Sequence, residues 1–78
     1  MGADMIKWKR IEAGEYESED ERFTILKTWN RIYGNHWQLC DRNERDHYKG
    51  LYQEYTLLDC KLKAEIIVDS EGKYGEQR

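Results

Sequence analysis

Apolar and polar residues change rhythm along this 78-residue chain, and the rhythm predicts strands first and a helix last. From Ile6 to Tyr16 apolar and polar positions roughly alternate through Trp8, Arg10 and Ala13, which predicts a strand over about 6–16 with an irregularity at Gly14. The polar run Glu17-Ser18-Glu19-Asp20-Glu21-Arg22 suits a turn. Residues 22–29 form the clearest strand, with Phe23, Ile25 and Trp29 on one face and Thr24, Leu26 and Thr28 on the other. Gly34-Asn35 signals a hairpin, and 36–41 follows as a third strand, with Trp37 and Leu39 opposite His36, Gln38 and Cys40. Residues 41–49 read as a charged loop, and 50–55 fits either a short strand or an approach to the helix.

At Thr56 the period changes. Thr56-Leu57-Leu58-Asp59 has the form of a capping box, with Asp in place of Glu. Leu57, Cys60, Ala64, Ile67 and Val68 then recur at helical spacing and predict the core stripe. The fold expected is therefore α+β: a three-stranded antiparallel sheet packed by one C-terminal helix (βββα). Residues 6–68 would form the single domain, with flexible ends at 1–5 and 69–78. A second set, Leu58, Leu62 and Ile66, repeats every four residues off the core side. A helix lying on an open sheet buries one stripe, so these three residues are candidates for a protein partner or self-association.

Composition sharpens two of these surfaces. Three Trp, six Tyr and one Phe give large rings to a chain that is otherwise 37% charged, so a few residues can supply the core. Net charge is −3, divided unevenly: residues 1–21 carry −4, residues 22–52 carry +3 and residues 53–78 carry −2. The acidic set Glu17, Glu19, Asp20 and Glu21 is a second candidate protein-binding surface, suited to a basic partner. The basic, aromatic middle suggests the alternative of nucleic-acid binding through Lys27, Arg31, Tyr33, Arg42, Arg45 and Lys49, with cations for phosphates and rings for bases.

No apolar run approaches the ~20 residues needed to span a bilayer, and no secretory leader is visible after Met1. A cytoplasmic protein with reduced Cys40 and Cys60 is expected, with no membrane partner. His36, Cys40, His47 and Cys60 lack the tight pairing of a zinc site, so no metal or other cofactor is expected. His36 and Cys40 share a strand face, but no further group completes a nucleophile, a base and an oxyanion donor, so no enzyme is expected.

Two resemblances follow from these residues. Trp8, Arg22-Phe23-Thr24-Ile25, Trp37-Gln38-Leu39-Cys40-Asp41, Thr56-Leu57 and Ala64-Glu65 are similar to a pattern in small proteins of unassigned function from phages and other mobile elements. The resemblance implies a fold and a phage-type accessory protein, residing in the host cytoplasm and acting on a protein partner such as a host or defence protein. The expected three strands and helix also resemble plant AP2-type DNA-binding domains and the arm-binding domains of phage integrases. Here the first strand begins Lys7-Trp8-Lys9-Arg10 and then turns acidic at Glu12, Glu15 and Glu17.

Overall fold

A computed structural model describes residues 6–76. Five strands form one antiparallel sheet in the order of the sequence: β1 (Trp8–Glu12), β2 (Glu15–Ser18), β3 (Phe23–Asn30), β4 (Gly34–Asp41) and β5 (Leu51–Glu54). A single helix, α1 (Leu57–Glu76), packs over β3, β4 and β5. The class is α+β with one C-terminal helix, but the expected three-stranded sheet is overturned: the sheet has five strands.

Both additional strands arise where the residue pattern conceals a turn or a short strand. The chain reverses at Ala13-Gly14, so the stretch expected as one strand over 6–16 is the start of a hairpin. Gly14 has φ +80°, and a Cβ there would lie 3.3 Å from the Cβ of Lys27 on β3. A glycine enters this left-handed conformation without steric penalty, which lets two residues close the turn. A lone Gly is a weaker hairpin signal than Asn-Gly. Glu17 and Ser18 consequently belong to β2, and the true turn covers 19–22. The ambiguous stretch after the charged loop is β5, paired with β4 from Trp37↔Glu54 to Cys40↔Leu51. The first five residues and the last two, expected to be flexible, lie outside the described residues. Residues 69–76, expected to belong to a tail, continue the helix.

The register places Phe23, Ile25, Leu39 and Tyr52 on the face beneath α1. Phe23, Ile25, Leu39, Cys60 and Ala64 are buried, with Trp8, Tyr16, Trp37, Tyr52, Leu57, Ile67 and Val68 packed around them. Thr56 starts the helix: its hydroxyl accepts the Asp59 amide at 3.0 Å. Burial pushes the Cys60 thiol up to about 12, with Glu54 and Asp59 adding to it, so this sulfur stays protonated as a small apolar group.

Arg22, at the entrance to β3, ties the layers together. Its guanidinium donates two hydrogen bonds to buried Asp41 at the end of β4 (2.9 and 3.1 Å) and two to Glu71 of α1 (2.8 and 2.6 Å). It also lies 4.7 Å from the centre of the Phe23 ring. Contact with Glu71 shows that α1 runs back from the end of β5 towards the Phe23–Asp41 end of the sheet. Glu71, through its hydrogen bonds, and then Asp41 raise the Arg22 pKa further above its already high value.

Arg22→Ala should lower stability by about 3 kcal/mol or more, because it leaves Asp41 as a buried charge without its partner; urea denaturation measures this, and a loss under about 1 kcal/mol would contradict it. Arg22 holds the Glu71 carboxyl below its ordinary value of 4.5. The stability this contributes is complete above that value and is lost as pH falls through the lower folded-state pKa. Glu71→Gln should therefore lower stability at neutral pH by less than about 1 kcal/mol, since the Glu71 side chain is 57% exposed, and flatten the acid limb of a stability–pH curve by the same small amount.

Candidate functional site

The register leaves the β3–β4 hairpin longer than its neighbours. Pairing of β2 with β3 stops at Glu15↔Leu26, and pairing of β5 with β4 stops at Trp37↔Glu54. Thr28–Asn30 and Gly34–His36 pair only with one another. The hairpin therefore projects beyond the strands on either side. Since α1 runs back from the end of β5, the projection is not covered by the helix.

Apolar side chains concentrate at this tip. Trp29 is 63% exposed, Ile32 84%, Tyr33 40% and Tyr55, just beyond β5, 65%. Trp29 does share a face with Phe23 and Ile25, as the alternation predicts, but α1 does not reach it. The alternation alone assigns Trp29 to the core side, and it assigns Ile32 and Tyr55 to no site. The available signal was position: Trp29 and Ile32 adjoin a turn, where a strand leaves the cover of its neighbours.

The tip is held in shape by local bonds. Asn30 Oδ1 accepts the amides of Ile32 (3.0 Å) and Tyr33 (2.7 Å), closing the turn from within. Gly34 completes it with φ +70°. The Tyr33 ring packs on His36 (centroids 5.2 Å apart) and edge-on against Tyr55 (5.9 Å). Beneath them His36 is buried. Its Nδ1 lies 2.9 Å from the Gly34 carbonyl oxygen and its Nε2 faces Gln53 Oε1, and the Gln53 amide nitrogen donates to Gln38 Oε1 at 3.0 Å. This chain satisfies polar groups on the sheet face opposite the helix.

The residues proposed for nucleic acid do not come together. Arg31 and Tyr33 are at the hairpin tip, whereas Arg42, Arg45 and Lys49 lie beyond the other end of β4, eight residues long and so roughly 23 Å away. Lys27 projects on the helix side, 5.9 Å from the centre of the Trp37 ring. Arg42 is engaged: it pairs with Glu17 at 3.1 Å and donates to the Glu21 carbonyl and to the Thr24 hydroxyl.

The acidic set is also divided. Glu17 lies between Lys9 (3.8 Å) and Arg42. Asp20 accepts the Ser18 hydroxyl at 2.7 Å and the Arg22 amide at 3.1 Å; these bonds, the hydroxyl first, hold its carboxyl below the ordinary range. Among the described residues, Glu19 and Glu21 form no ion pair and are exposed. Glu21 is a turn residue with φ +66°. Leu58, Leu62 and Ile66 do form one exposed stripe along α1, at 63%, 47% and 59%.

Candidate ligand atoms are dispersed. His36 and Cys40 share a face but sit four residues apart along β4, roughly 13 Å, with Gln38 between them. Cys60 is in the core, and His47 packs edge-on against Tyr48 in the loop before β5. No group of three or more His, Cys, Asp or Glu that could hold a metal ion occurs among the described residues. No described helix is long and apolar enough to cross a membrane.

Asn30→Ala should remove the internal acceptor of the tip, cost about 1 kcal/mol and speed amide exchange at Ile32 and Tyr33 while leaving Ile25 and Leu39 protected; unchanged exchange at the tip would show that the turn is held by other bonds. No protein-family model matches the sequence, and no curated protein or solved structure is significantly similar to it.

Proposed function

We propose that this protein is a non-catalytic binding module that engages a protein partner through the β3–β4 hairpin tip. The observation that carries this reading is the projecting hairpin with exposed Trp29, Ile32 and Tyr33 beside Tyr55. Trp, Tyr and Arg are the residue types that most often dominate protein interfaces, and Arg31 adds the third of these. Large exposed rings at a defined turn offer apolar area with little further ordering, because Asn30 and the Tyr33–His36 packing already fix the shape. The partner implied is a protein with an apolar cleft able to take Trp29 and Ile32.

Two further features support a binding role over a chemical one. The most buried thiol, Cys60, is held protonated, and both ring nitrogens of His36 are engaged in the bonds that support the tip. The cations favouring nucleic acid are split between the ends of the sheet, and Arg42 is engaged with Glu17. The phage-type likeness carries no weight in this reading: Trp8, Phe23, Ile25 and Leu39, which compose much of that pattern, build the core.

The test is affinity capture from the native cell with and without nuclease, using the wild-type chain and the exposed-site variants Trp29→Ala and Ile32→Ala. A captured protein that survives nuclease and binds either variant at least tenfold more weakly supports the reading, since a central anchor contributes about 2 kcal/mol or more. Capture that both variants leave unchanged overturns the hairpin as the docking point. Retention of nucleic acid, lost on nuclease treatment, overturns the protein partner.

A further inference from the structure

The polar chain under the hairpin tip can be satisfied in two ways, and one proton separates them. His36 is 2% exposed, and both of its ring nitrogens face carbonyl oxygens. Nδ1 lies 2.9 Å from the oxygen of Gly34, and Nε2 faces Gln53 Oε1. The Gln53 amide nitrogen in turn donates to Gln38 Oε1 at 3.0 Å. A neutral imidazole has one N–H and can donate to only one of the two oxygens. The observed arrangement satisfies every pair when the ring carries both protons. A neutral ring needs the reverse arrangement. Nδ1–H then donates to Gly34, the Gln53 amide turns end for end so that its nitrogen donates to Nε2, and the Gln38 amide turns to donate to Gln53 Oε1.

We propose that this chain is a pH-operated latch on the tip: uptake of a second proton by His36 reverses the two glutamine amides and holds the tip more firmly. The step adds one proton from solvent at Nε2 and breaks no other covalent bond. The firmer hold has two sources. A hydrogen bond from an imidazolium to the Gly34 carbonyl is charge-assisted, roughly twice as strong as a neutral one. Gly34 is the residue that completes the turn, with φ +70°. The Tyr33 ring also lies 5.2 Å from the imidazole, within reach of a cation–π attraction once the ring is charged. Histidine is the side chain whose charge ordinarily changes between about pH 5 and 8. The bearing of the latch on binding rests on the docking of a partner at the tip, which mild acid would tighten; the latch itself needs no partner.

Few other charges bear on the ring. From the turn it meets Tyr33, with Tyr55 behind that ring and Arg31 exposed beside it. Its opposite residue on β3 is the uncharged Thr28. Glu15 of β2 shares this sheet face but stands level with Leu26 and Gln38, farther along the strands. On β4 the nearest titratable group of the same face is Cys40, beyond Gln38. Among the described residues none forms an ion pair with His36. Burial of a cation costs free energy, and the two facing oxygens offset it in place of a carboxylate. The charge of the ring is therefore registered by the amides and the turn.

Nitrogen NMR of the full chain between about pH 8 and pH 5 tests the latch. At the upper end the His36 ring should carry its one proton on Nδ1, as the Gly34 carbonyl requires. At the lower end both nitrogens should be protonated, and the side-chain amide signals of Gln53 and Gln38 should shift over the same pH range. Amide exchange at Ile32 and Tyr33, corrected for its intrinsic pH dependence, should become about fivefold slower across that range. Gln53→Met removes the facing oxygen and should cut this change below about twofold, with circular dichroism unchanged. A ring still neutral at the lower end overturns the proposal. So do glutamine signals that ignore the ring, tip exchange that does not slow, a Gln53→Met chain that keeps the full change, or unfolding before the ring gains its charge. Trp29→Ala should titrate as the wild type does, so the latch and the docking site can fail separately.

Discussion

The guanidinium of Arg22 joins the helix to the sheet, beside the apolar stripe that seats it. Arg22 stands at the start of β3, bonds to the last residue of β4 and reaches α1 through Glu71. Three elements thus meet at one end of the sheet, and the apolar residues under the helix lie next to that junction. Because α1 begins beyond β5 and must return to Arg22, the opposite end of the sheet receives no cover. The exposed hairpin thus follows from the direction in which α1 returns, together with the early ends of β2 and β5.

The sheet face away from α1 is maintained by polar groups. His36, Gln53 and Gln38 form a chain across β4 and β5, while Tyr33 packs on the imidazole and Tyr55 packs against Tyr33. Farther along, Glu17 joins Lys9 and Arg42 across β1, β2 and the end of β4. Some of the charges that look in sequence like separate acidic and basic surfaces pair with each other in the fold. Among the described residues, the apolar tip and the outer stripe of α1 stay exposed, as do Ile11, Leu26 and Tyr48.

Much of the core was legible because it depends on local periodicity. The alternation at Phe23 and Ile25, the side of Leu39, the Thr56 cap and the Leu57–Val68 stripe are properties of residues close in sequence. The outer stripe was legible for the same reason. The number of strands was less so. A single Gly14 reversed the chain inside what looked like one strand, and four residues sufficed for β5 once β4 supplied a partner. The hairpin tip was missed because exposure of Trp29 depends on where β2, β5 and α1 stop, which no local pattern records. The grouping of Arg31 with Arg42 and Lys49 failed for a related reason: residues near in sequence were placed at opposite ends of one strand.

The sequential order of the five strands also bears on how the chain can assemble. Each strand pairs with the one before it, so every step in building the sheet closes only a short loop. Such local pairing keeps contact order low, and low contact order favours rapid folding. The contacts of α1 with the earlier strands are different, and the bond from Arg22 to Glu71 joins residues separated by 49 positions. Its loop entropy is the larger one, and it is met only after β3, β4 and β5 have brought the helix within reach. The same ion pair that anchors α1 in the finished molecule is thus among the last contacts its own topology permits.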